Sequence, residues 1–199
     1  MVGQKAITQT LENAIEKNQL AQALLFCGPR GVGKTSCARI LAKKINSHGK
    51  ADLNEDFAFN IFELDAASNN SVDDIRSLNE QVRIPPQVGT HKIYIIDEVH
   101  MLSLGAFNAF LKTLEEPSKH VIFILATTEK QKIIPTILSR CQTYDFKRIS
   151  FKDCKEHLKK IAEDQKIKFE EEALNLIAQK GDGALRDVLF TYDLSLIHI

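Results

Sequence analysis

Gly28-Pro29-Arg30-Gly31-Val32-Gly33-Lys34-Thr35 carries the pattern G-x-x-x-x-G-K-[ST], set between an apolar run and a stretch of helical spacing. The glycines let the backbone turn so that successive N–H groups and a helix N-terminus converge on an anion. Lys34 then reaches β- and γ-phosphates, and Thr35 offers its hydroxyl to Mg²⁺. A second constellation is Ile93-Tyr-Ile-Ile-Asp97-Glu98, an apolar run ending in two acids. At the carboxyl edge of an open α/β sheet, Asp97 can hold the metal directly or through water, and Glu98 can orient and deprotonate an attacking water. Together these residues point to hydrolysis of a bound nucleotide rather than phosphoryl transfer to a second substrate.

Other polar groups fit the same chemistry less specifically. Thr127 and Thr128 end the apolar run from Val121 to Ala126 and could bond a γ-phosphate, although threonine is also an ordinary strand residue. Arg140 and Arg186 carry the always-charged fork that suits a terminal phosphate, but by spacing alone both read as surface charges. Ser68, Asn69 and Asn70 lead into a helix starting near Val72, with Arg76 one turn on. They could take a DNA phosphate or merely cap the helix. Lys152, Lys155 and Lys159 mark one helical face, read as solvated. None of the six histidines lies at metal spacing from a cysteine or another histidine.

Positioning these groups requires a sheet. Apolar runs at 23–27, 61–65, 93–97, 121–127 and 141–146 alternate with helical spacing at 7–17, 34–46, 72–82 and 106–114, which predicts an α/β fold with a five-stranded parallel sheet. From Ser150 the strand signal stops, and 151–164, 170–178 and 184–192 read as helices. The expected division is a nucleotide-binding core over 1–147 and a small all-α lid over 148–193. Residues 194–199, Leu-Ser-Leu-Ile-His-Ile, match the translation of a sequencing-library adapter and are expected to be a cloning or sequencing scar, the alternative being a natural helix end.

With 199 residues, the chain can bury enough surface for one core and a satellite. Its 26 basic and 26 acidic residues cancel, so any nucleic-acid contact must be local rather than a bulk positive field. The longest apolar run is far below the roughly 20 residues of a membrane helix. The expectation is a soluble, cytoplasmic protein with four reduced cysteines and no membrane partner.

Taken in order, the phosphate loop, Glu63-Leu-Asp-Ala-Ala-Ser68, Ile95-Ile-Asp-Glu-Val-His100-Met-Leu-Ser103, Leu111-Lys-Thr-Leu-Glu-Glu-Pro117, Ala126-Thr-Thr128, Ile137-Leu-Ser-Arg-Cys141 and Gly183-Ala-Leu-Arg-Asp187 resemble the gamma/tau clamp-loader family of bacterial DNA polymerase III, which are AAA+ ATPases. The resemblance covers nearly all of residues 2–193. It implies an ATP-hydrolysing subunit, with Mg²⁺, of a five-membered ring that places a sliding clamp on primer-template DNA. The whole assembly, the polymerase III holoenzyme, is a nucleotidyltransferase (DNA-directed DNA polymerase). Implied partners are delta, delta-prime and further gamma/tau copies, the clamp and DNA.

Carried over to this sequence, residues 28–36 with Thr127 and Arg186 bind nucleotide, and Thr35 and Asp97 hold Mg²⁺. Asp97, Glu98, Lys34 and Thr128 act in hydrolysis, while Arg140 reaches the neighbouring subunit's ATP as a finger in trans. Ser68, Asn69, Asn70 and Arg76 lie where the family touches template phosphates, and Val99 to Leu104 resembles the segment that leans on the clamp. The sequence departs from many relatives in having no cysteine between Ser47 and Asn60, so no zinc is expected. Most of the family's upstream adenine-packing stretch and its C-terminal collar domain are expected to lie outside these 199 residues. Two rival readings are another AAA+ machine, such as a Holliday-junction helicase or an initiator-type loader, and a nucleotide-dependent scaffold that does not hydrolyse. Intact Lys34, Glu98 and Arg140 argue against the scaffold.

Overall fold

Five short strands form one parallel sheet in the computed structural model, which describes residues 1–47 and 57–197. They are β1 (Ala23–Cys27), β2 (Ile61–Asp65), β3 (Lys92–Asp97), β4 (Val121–Thr127) and β5 (Gln142–Asp145), in spatial order β2-β3-β4-β1-β5. Every residue of β1 and β4 is buried, which explains why these segments read as unbroken apolar runs and not as alternation. The pleat still divides them. Leu25 joins one cluster with Ile75 and Phe110, while Leu24 and Phe26 join another with Ala38 and Leu41 on the opposite face. Full burial of a side chain such as Phe26 contributes about 1.5–3 kcal/mol.

Helices α1 (Lys5–Glu16) and α2 (Lys34–Ser47) cover the Leu24–Phe26 face. The other face is covered by α3 (Val72–Val82), α4 (Leu104–Glu115) and the single-turn α5 (Pro135–Leu138). Each start has a local cause. Ser71 and Asp74 form a reciprocal capping box at α3, Ser103 accepts from the Ala106 N–H at α4, and Pro135 opens α5 where a missing N–H costs nothing. Helix α5 is too short to show a period, and spacing does not predict it.

Past Ile149 the chain makes three helices, α6 (Phe151–Asp164), α7 (Glu171–Lys180) and α8 (Leu185–Ile197), around a core of their own that includes Cys154, Leu158, Val188 and Tyr192. The lysine stripe does more than face solvent: Lys155 and Lys159 lie 2.7 and 3.0 Å from Glu171, tie α6 to α7, and pull the Glu171 carboxyl down to about 2. Helix α8 continues past Tyr192 to Ile197, and Leu196 packs against the lid core. Positions 198 and 199 of the expected scar, and residues 48–56 of the cysteine-free stretch, lie outside the described residues. All four cysteines are unpaired and buried, and burial pushes the Cys27 and Cys37 thiols up to about 11 and that of Cys141 to about 12. No helix among the described residues is long and apolar enough to cross a membrane.

Candidate active site

Parallel pairing brings the chemistry-bearing residues to one rim. Cys27 of β1 stands beside Thr127 of β4, and Asp65 of β2 beside Asp97 of β3, so the turns that follow these strands open on the same edge. There the phosphate loop, the carboxyl end of β3 and the first turns of α8 enclose a cleft of about 1020 Å³. Lys34, Thr35, Ser36, Arg30, Asp97, Glu98 and Arg186 line it.

Lys34 is 6% exposed, and its ammonium donates to the Gly28 and Pro29 carbonyls at 2.8 Å each. Two of its three donors curl the loop around it, leaving a third. Burial lowers its pKa, and the carboxylates of Glu98 and Asp97 offset this only in part. A desolvated, under-compensated cation at the mouth of a cleft is a receptor for an anion.

Thr35 Oγ1 donates to Asp97 Oδ2 at 2.7 Å, and Asp97 Oδ1 accepts from the Glu98 N–H at 2.9 Å. The hydroxyl and carboxylate are hard oxygens from two elements, a donor pair suited to Mg²⁺, which takes one or two protein ligands and fills its remaining positions with phosphate and water. Among the described residues no set of three or more His, Cys, Asp or Glu is arranged to hold a metal. Glu98 itself has left-handed backbone, φ 47° and ψ 43°, a costly conformation for a non-glycine residue and one that marks functional sites.

The sequence-predicted residues do not all converge. Arg186 does, and its backbone N–H also donates to Gly31 O at 3.4 Å, so the lid touches the phosphate loop directly. Thr127 and Thr128 stand beside the cleft without lining it. The Thr128 hydroxyl donates to Glu98 Oε2 at 2.9 Å, and the Thr127 hydroxyl meets His100 Nδ1 at 3.1 Å. Arg140 lies away from this chain's cleft, paired with Glu115 at 2.7 Å. Of the group offered for DNA, the Asn69 amide donates to Asp65 O and Arg76 pairs with Asp73, while the Ser71–Asp74 box caps the α3 N-terminus. Sequence reasoning missed His100 and Glu129, since the contacts of His100 with Thr127 and Glu129 form only when β3 and β4 pair. The only signal was the placement of His100 two residues after Glu98.

Comparison with known proteins shows the family and the fold. Residues 3–150 match the family model described as DNA polymerase III, delta subunit, and residues 153–196 match DNA polymerase III clamp loader subunit, ATPase lid domain. The DNA polymerase III subunit tau of Bacillus subtilis (strain 168) is 50% identical over 205 aligned positions, taking in 97% of this chain and 36% of the relative. That of Escherichia coli (strain K12) is 42% identical, with 97% of this chain and 32% of the relative aligned. The chain thus spans about a third of the length of these curated relatives. The Thermotoga maritima RuvB Holliday junction branch migration motor superposes with a TM-score of 0.70 at 21% identity, over 94% of this chain and 59% of the other. A DNA polymerase III gamma subunit-related protein from Thermotoga maritima gives 0.56, also at 21%, over 87% and 58%. These last two establish the fold alone.

Proposed function

The chain belongs to the DNA polymerase III clamp-loader subunit family, and from that premise we propose that it is the ATP-hydrolysing part of a gamma/tau subunit that places a sliding clamp on primer-template DNA. The observation that carries this reading is the buried Lys34 ammonium facing the same cleft as the Thr35–Asp97 pair, Glu98 and the lid residue Arg186. We assign residues 1–147 to the nucleotide-binding core, 148–193 to the lid and 194–199 to a cloning or sequencing scar, into which α8 continues as far as Ile197.

In this reading Lys34 and the backbone N–H groups of residues 28–36, Pro29 excepted, hold the β- and γ-phosphates, and Thr35 and Asp97 would hold Mg²⁺, which when bound neutralises charge developing on the phosphate oxygens. Glu98 orients the attacking water and draws off its proton. Thr127 and Thr128 report on the γ-phosphate from the end of β4. Arg186 contacts the same nucleotide from the lid. Arg140 serves the neighbouring subunit's site. Ser68, Asn69, Asn70 and Arg76 meet template phosphates once Arg76 exchanges Asp73 for DNA, and the Val99 to Leu104 segment meets the clamp through its exposed Met101 and Leu104, Val99 and Leu102 being buried in the core. The subunit works in the cytoplasm within a holoenzyme that also contains delta and delta-prime, and nucleotidyl transfer is the work of other chains there.

The test uses the complete gene product with its partner subunits. ATP turnover should rise with clamp and primed DNA, and Glu98→Gln should abolish turnover while nucleotide affinity stays within about twofold, as expected for a group acting only in the transition state. Turnover indifferent to both clamp and DNA would overturn the clamp-loader reading.

A further inference from the structure

His100 sits on the 3₁₀ turn Val99–Met101, and its side chain is 6% exposed. Its Nδ1 lies 3.1 Å from Thr127 Oγ1 and 3.4 Å from Glu98 Oε2, and its Nε2 lies 3.3 Å from Glu129 Oε1. The ring is therefore wedged between two carboxylates, one at the exit of β3 and one just beyond the end of β4. Thr127 Oγ1 also accepts the Glu129 N–H at 3.0 Å, which closes the cluster on the β4 side. A buried imidazole is costly to place without partners, and here each ring nitrogen faces an acceptor side chain.

The contacts fall unevenly on Glu98. Among the described residues, every hydrogen bond and ion contact of its carboxylate is to Oε2: the Thr128 hydroxyl at 2.9 Å, the Thr128 N–H at 3.3 Å and His100 Nδ1 at 3.4 Å. With Oε2 anchored, Oε1 is the oxygen left to face a water. The strained left-handed backbone of Glu98 fixes where the side chain begins, and the cluster fixes where it ends.

We propose that His100 is a positioning residue that aims the Glu98 carboxylate and ties that aim to the Thr127–Glu129 segment through Glu129. The role rests on the reading of this cleft as a hydrolytic nucleotide site. A movement at the end of β4, where the γ-phosphate is sensed, is then passed through the ring to the group that orients the water.

The experiment measures steady-state ATP turnover and nucleotide affinity in the complete protein with its partners. His100→Ala is expected to lower kcat about 10- to 100-fold, the cost of misaiming a reacting group, with KM and Kd within about twofold. His100→Asn, whose amide takes the place of Nδ1, recovers most of that loss. Glu129→Gln lowers kcat less, and adds nothing further in the His100→Ala background because the two act as one unit. Wild-type kcat in His100→Ala overturns the proposal. So does a loss of kcat matched by equal losses of affinity and melting temperature and not recovered by Asn, which would make the ring merely a packing element. If His100→Ala does not fold, Glu129→Gln on its own decides: reduced kcat at unchanged affinity supports the role, and unchanged kcat overturns it. A wild-type protein without turnover defeats the hydrolytic reading itself, an outcome separate from all of these.

Discussion

Lys34 places a positive charge where little water reaches it, and the residue-scale consequences follow from that placement. Burial disfavours the ammonium, whereas a bound phosphate favours it, so the pKa that the fold lowers must rise again when nucleotide binds. Binding is therefore coupled to proton uptake between the two values. Affinity should weaken on the alkaline side at a pH below the ordinary lysine value of about 10.4, which calorimetric titrations over a range of pH can detect as proton uptake from buffers of different ionisation enthalpy. Nucleotide at about a hundred times its Kd should stabilise the fold by roughly 2.7 kcal/mol, read as a rise in melting temperature. In Lys34→Ala that rise should vanish. A full shift in the variant would mean that the loop amides alone capture the phosphate. This role was legible in the sequence because the motif is local: lysine, glycines and threonine are neighbours in the chain. The role of His100 was not, since its partners Thr127 and Glu129 are brought to it only by strand pairing.

At the scale of elements, the phosphate loop is held as much by its neighbours as by its own turns. A Cβ on Gly28, at φ +149°, would collide with the carbonyl oxygen of Phe146, a backbone atom just past β5. On Gly31, at φ +77°, it would stand 3.0 Å from the Ala184 Cβ at the entrance to α8. The two substitutions should fail differently. Gly28→Ala forces β1 and β5 apart and should cost about 1–3 kcal/mol in denaturant unfolding, as overpacking does. Gly31→Ala pushes on the lid, so it should speed amide hydrogen exchange at the start of α8 while exchange in β1 stays slow. Equal loss of protection in both elements would show that the lid and core open as one unit. The sequence made the strands legible because a parallel sheet buried on both faces leaves continuous apolar runs, as in β1 and β4. It hid α5, whose four residues are too few for a period, and it hid the use of Lys155 and Lys159, whose partner Glu171 belongs to the next helix.

At the scale of the whole molecule, Arg140 tests whether each site is shared between two subunits. The other proposed catalytic groups gather at this chain's own cleft, but Arg140 is docked on Glu115 elsewhere on the surface, one-third exposed. Besides Glu115, its guanidinium donates to the Thr136 carbonyl at 2.8 Å and the Ser139 hydroxyl at 3.3 Å. Release stays inexpensive, since an exposed ion pair contributes only about 0–1 kcal/mol and the hydrogen bonds can be exchanged for water. If it serves the next subunit, each complete site draws Glu98 from one chain and Arg140 from its neighbour, through a head-to-tail contact. Such sharing has a signature that no self-contained site can imitate. Glu98→Gln and Arg140→Ala should each be inactive in full-length assemblies, yet mixing them should restore turnover. A chain that keeps Glu98 then adjoins one that keeps Arg140 at about a quarter of randomly formed interfaces. Nucleotide affinity of the isolated Arg140→Ala chain should match wild type, as expected of a residue that never touches its own ligand. Mixtures that stay inactive while still assembling would place the arginine's work within its own subunit, and the Glu115 pair would then be its permanent partner instead of a resting position.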